Sequence, residues 1–167
     1  MEIKKRESGK ILFLVKARQG SRCRYRYDDR ILRLESMLPE DMVYPEDYGI
    51  VLRTSSKTGE PLDGFMLTKE SLEPGSIIEA RPIACIRTQE EEVRNDKVIL
   101  VPEDDPGMKD LKDFEDMGAE LRMEIKGFIN DLYELKGEEA GLKSSLGPEE
   151  TKRLIKNCKK IYKRRNG

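Results

Sequence analysis

The sequence predicts an α+β fold, a small closed β-barrel with two helices packed against it. Three observations predict it. Over residues 10–102, short apolar or alternating runs are separated by Gly/Pro turns, the pattern of a closed or nearly closed barrel. Across residues 114–136 the period changes, and Met117, Leu121, Ile125, Phe128, Ile129, Leu132 and Leu135 recur at helical spacing. A second helical set, Leu154, Ile155, Cys158, Ile161 and Tyr162, lies within residues 148–164, behind a "GPEE" entry whose proline and two acids suit a first turn. A chain of 167 residues can bury one real core but not two comfortable ones, so residues 1–167 are read as a single domain.

The strands follow in order. "KILFLVKA" is a short, nearly continuous apolar run that ends at the turn "RQGS". "RCRYRYD" then alternates strictly, with Arg22, Arg24 and Arg26 on one face and Cys23, Tyr25 and Tyr27 on the other, which predicts a half-buried strand with a cationic face. After the tight "DDR" comes "ILRLES", then the turn-rich "MLPEDMVYPEDYG". Further strands are read in "IVLRT", "GFMLT", "SIIEARPIACIRT" and "KVILVPE".

Composition narrows the chemistry. The chain has no histidine, which excludes histidine general bases, histidine triads and the usual zinc sites. Cys23, Cys85 and Cys158 are odd in number and lack clip spacing, so they are read as buried thiols. No apolar run reaches membrane-spanning length, and "MEIKKRESGK" lacks the features of a signal peptide; a cytoplasmic protein without a membrane partner is expected. The net charge of −1 hides a segregation: residues 1–34 carry +7 and residues 148–167 carry +6, leaving −14 between them. Basic ends suit a polyanion, so nucleic acid is a possible partner, but they equally suit self-neutralisation in the fold and a solvated helix end.

The residues with most chemical content lie in "KTGEPLDGFML". Glu60 and Asp63 flank a proline where a turn runs into an apolar strand, a place where carboxylates either gather a hard metal ion or simply face water. Taken in order, "QGSRCRYRYD", "MVYPEDYG", "TGEPLDGFML", "EPGSIIEARPIACI" and "NDKVILVP" resemble the motifs of the soluble, family I inorganic pyrophosphatases over residues 10–102. The resemblance implies a five-stranded, OB-like barrel flanked by helices, magnesium as cofactor, pyrophosphate as substrate and often a homo-oligomer.

Carried over position by position, the resemblance implies metal ligands at Glu60, Asp63 and Glu90, with Glu60 and Asp63 also catalytic. It implies phosphate-binding groups at Arg24, Tyr44, Tyr48 and Lys97. Glu60 is longer by a methylene than the family's aspartate, and the other departures concern charge. Thr58 and Asn95 stand where the family has carboxylates, as do Lys16 and Arg26, while Ser36 and the helix segment "NDLYELK" lack an expected arginine and lysine. The net shift is about +4, the charge that two magnesium ions would supply. Lys16 and Arg26 therefore join the expected anion-binding set, and magnesium is expected to be weakly held or lost. The reading placed first is a homologue that binds pyrophosphate or another phosphorylated small molecule, with hydrolysis weak or lost. The alternatives are an active pyrophosphatase whose metal set is rebuilt from Glu60, Asp63, Glu90, Glu91, Glu92 and Asp96, and a nucleic-acid-binding barrel.

Overall fold

The computed structural model describes residues 9–88, 96–143 and 145–166. Its strands are β1 (Ile11–Ala17), β2 (Cys23–Asp28), β3 (Ile31–Met37), β4 (Asp47–Val51), β5 (Asp63–Met66), β6 (Ile77–Ile86), β7 (Lys97–Pro102) and β8 (Ser145–Leu146), with helices α1 (Ala119–Leu135) and α2 (Pro148–Asn166). The order β1-β4-β5-β7-β6, closed by pairing of β1 with β6, makes the five-stranded barrel. β8 adds two residues to β6. Pairing is antiparallel throughout except between β5 and β7, which run parallel with Asp63 beside Lys97 and Phe65 beside Ile99.

The apolar runs lack alternation because both faces of these strands are covered. In β7, Val98, Ile99, Leu100 and Val101 are all fully buried. Ile99 and Val101 join Tyr48, Phe65 and Ile83 in a cluster completed by Ile125, Phe128 and Ile129 of α1. Val98 and Leu100 point the other way, into a cluster of Phe13, Val15, Met66 and Cys85 that Ile155 and Cys158 of α2 complete.

The structure differs from the sequence reading in several details: β4 begins at Asp47, inside residues read as a turn, and β8 was not read at all. The cationic strand β2 is not a barrel stave: β2 and β3 form a separate two-stranded sheet, joined by a turn at Asp29 and Arg30 with φ of 49° and 65°. Alternation reports that one face of a strand is covered, and does not say by which sheet. The helix expected over 114–136 is broken. Phe114–Met117 is a 3-10 turn in which Asp113 and Asp116 form a reciprocal capping box, and Gly118, at φ 80°, separates it from α1. A left-handed residue cannot continue a right-handed helix, so the apolar period crosses a break that the period does not register.

At the start of β4, the buried Asp47 carboxylate accepts from the Gln19 and Leu72 amides and the Ser71 hydroxyl, each at 2.8 Å. The neighbouring Glu46 is half-buried, and burial, with Asp47 and Glu124 nearby, pushes its carboxyl up from 4.5 to about 7. A carboxyl that holds its proton more tightly when folded adds stability that is complete below about pH 4.5 and lost as pH rises through about 7. Glu46→Gln is therefore expected to raise the urea midpoint at pH 8 and leave it unchanged near pH 4. An equal shift at both pH values would refute the assignment.

No helix is long and apolar enough to cross a membrane among the described residues.

Candidate active site

The parallel register of β5 and β7 sets Asp63 and Lys97 side by side at the first residues of their strands. The Lys97 ammonium donates to both Asp63 carboxylate oxygens, at 2.9 and 2.8 Å, and to the Tyr48 hydroxyl at 3.2 Å. The Tyr48 hydroxyl in turn donates to Asp63 Oδ2. Burial, reinforced by the Asp63 carboxylate, pushes Tyr48 well above the ordinary tyrosine value, so the hydroxyl keeps its proton. Tyr44 stacks on Tyr48 with ring centroids 5.3 Å apart, and Phe128 of α1 packs against Tyr44 at 5.1 Å. The aromatic column fixes the tyrosines, and the ion pair fixes the lysine.

These groups open into a cavity of about 860 Å³, which Lys16, Arg24, Tyr44, Tyr48, Glu60, Asp63 and Lys97 all line. Sequence reasoning named these seven, and the fold brings them together. Burial pulls the Lys16 ammonium below its ordinary value; the Asp63 carboxylate opposes this and Lys97 adds to it. An arriving anion would relieve that desolvation cost, which favours binding of negative charge.

Arg26 is the correction. It is exposed, pairs in register with Arg33 on β3, and is not among the cavity residues. The hairpin register slips between Arg24 and Tyr25, so both of these face the cavity while Arg26 lies farther out toward the turn. Arg22 also serves the fold, its guanidinium donating to the Leu38 carbonyl at 2.7 Å. Glu90, Glu91, Glu92 and Asn95 lie outside the described residues.

Sequence reasoning missed Lys136. It took the helix segment to have lost its cation, yet Lys136 lies on the cavity wall, with its ammonium 5.4 Å from the Tyr133 ring centroid. The signal was the i, i+3 spacing of the two residues, which puts them on one helix face. Asp96, named only among nearby acids, also lines the cavity. It is 4% exposed, its Oδ1 has no hydrogen-bond partner among the described residues, and burial raises its carboxyl above the ordinary value.

The resemblance implies magnesium, which needs several converging carboxylates. Asp63 is occupied by Lys97 and Tyr48, Thr58 offers a neutral hydroxyl, and Lys16 brings a positive charge. Among the described residues no three carboxylate or thiol side chains converge as a metal site. The described donors alone therefore do not fit a set of several magnesium ions.

Comparison with known proteins decides the family. The family model for inorganic pyrophosphatase matches residues 2–163. The chain belongs to the inorganic pyrophosphatases. An inorganic pyrophosphatase of Nanoarchaeum equitans is 33% identical over 153 residues, covering 90% of this chain and 96% of the relative. That of Sulfolobus acidocaldarius is 35% identical over 127 residues, covering 74% and 73%. Among solved structures, the inorganic pyrophosphatase of Thermus thermophilus matches with a TM-score of 0.83 at 27% identity, over 91% of this chain and 90% of that one. The closed barrel with two helices is thus the pyrophosphatase fold, and the cavity opens where β5 and β7 begin.

Proposed function

We propose that the cavity binds inorganic diphosphate and that its hydrolysis to two phosphates is the reaction of this protein. The observation that carries this is the joined Lys97, Asp63 and Tyr48 constellation, with Lys16, Arg24 and Tyr44 on the same cavity, in a chain of this family. Hydrolysis forms one P–O bond from a water oxygen and breaks one P–O bond to the bridging oxygen. Lys97, Arg24 and Lys16 supply charge-assisted hydrogen bonds to the phosphoryl oxygens, and the Tyr44 and Tyr48 hydroxyls supply neutral ones. Asp63 holds Lys97 and Tyr48 in place. Glu60, whose carboxylate takes part in none of the described ion pairs, is the group we assign to receive the water's proton. A cytoplasmic site of action, a homo-oligomer and a single domain belong to the same proposal.

A specific observation favours a second reading, in which diphosphate is held with little or no turnover. The Asp63 carboxylate is already satisfied by Lys97 and Tyr48, and Lys16 makes the cavity cationic without metal. Magnesium is then weakly held or absent. Phosphate release from diphosphate, measured with and without magnesium, separates the two readings: steady magnesium-dependent release supports the first, and saturable binding without release supports the second.

Both readings share one expected result. Lys97→Ala and Arg24→Ala are each expected to weaken diphosphate binding by about 10- to 100-fold, the value of a hydrogen bond to a charged group. Titration calorimetry checks this, and an unchanged Kd in both variants would refute the anion-binding assignment.

A further inference from the structure

The cavity is lined by apolar as well as charged side chains. Leu62 from the segment before β5, Leu132 of α1, and Leu154, Cys158 and Ile161 of α2 share it with the cations. The three α2 residues fall at i, i+4 and i+7, on one helix face. Leu154 and Ile161 are only half-buried, so part of this face is open to the cavity rather than closed into the core. Lys159 and Arg165 hold α2 in place by donating to the carbonyls of Lys10 and Lys57, the latter in the turn that carries Glu60. The apolar wall is thus a fixed part of the cavity. Inorganic diphosphate would leave it wet.

We propose that the site also accepts organic diphosphate monoesters, with the diphosphate held by Lys16, Arg24 and Lys97 and a short aliphatic group laid against Leu154 and Ile161 of α2. This rests on the reading that the cationic half holds diphosphate. An aliphatic group is assigned rather than a nucleoside because the α2 residues on the cavity, Leu154, Cys158 and Ile161, carry no ring, while the Tyr44 and Tyr48 rings there already stack on each other and the Tyr133 ring is faced by Lys136. The ester carries one negative charge fewer than inorganic diphosphate, so any gain in affinity must come from the wall.

The test compares the Kd values of inorganic diphosphate, n-pentyl diphosphate and adenosine diphosphate on the full chain. The pentyl ester is expected to bind about tenfold tighter than inorganic diphosphate, the effect of burying about two methylene groups, and tighter than the nucleotide. Ile161→Asn is expected to lower the ratio of pentyl to inorganic affinity. A pentyl ester that binds no tighter than inorganic diphosphate, or no tighter than adenosine diphosphate, overturns the inference while leaving the diphosphate site standing. Failure of inorganic diphosphate itself to bind overturns the underlying reading, and this inference with it.

Discussion

Asp63→Asn is expected to lower phosphate release from diphosphate by about 10³-fold or more, while diphosphate binds as tightly as to the parent chain or more tightly. The two effects have opposite signs because Asp63 does two things. As the acceptor for Lys97 and Tyr48, it fixes both donors against the substrate, and groups that act as a unit lose nearly all their rate when one is removed. As a negative charge beside the Lys97 ammonium, it competes with the phosphoryl oxygens for that cation, and the neutral amide ends the competition. Single-turnover phosphate release and equilibrium binding on the same samples read the two effects separately. Should the parent release no more phosphate than the variant while both bind diphosphate, binding without turnover becomes the function of this cavity. Weaker binding by the variant would instead mean that the Asp63 charge organises the site more than it repels the ligand.

Gly64→Ala is expected to destroy the fold rather than the chemistry. Gly64 follows Asp63 on β5, where it lies beside Val98 of β7, and a Cβ there would sit 1.9 Å from the Val98 carbonyl oxygen. Both groups are backbone, so neither can swing away. The substitution has to push apart the parallel strands that align Asp63 with Lys97, at a cost above the usual 1–3 kcal/mol of overpacking, which we put at about 3 kcal/mol or more. Loss of soluble protein, or a large fall in urea midpoint, checks this. A midpoint within measurement error of the parent would show that β5 and β7 are less closely apposed than described.

Much of this molecule was legible in its sequence, because the cues were local. Strands β1 to β7 were each marked, at least in part, by a short apolar or alternating run, and α2 by its proline entry; the two-residue β8 was not marked. Asp63, Lys97, Tyr44, Tyr48, Lys16, Arg24 and Glu60 were identifiable from ordered motifs, and they do share one cavity. What could not be read depends on tertiary placement. The alternation of β2 described a half-covered strand correctly but could not say that it pairs only with β3 among the described strands, nor that a slip in register would leave Arg26 outside. Met117 fits a helical period although Gly118 ends the turn that contains it. Leu154 and Ile161 were read only as members of a helical apolar set. Only the docking of α2 shows that they border the same cavity as Lys97.

The position of β7 between β5 and β6 ties the making of the site to the making of the protein. During synthesis β5 and β6 emerge before their shared neighbour, so both keep unpaired edges until the chain has reached Pro102. The pairing of β1 with β6 likewise spans most of that length, and contacts so distant in sequence return nothing until their loops are closed. Barrel closure is therefore expected to be late and cooperative. The Asp63 to Lys97 contact belongs to the pairing that completes it, so no partly wound chain carries a partly formed pocket.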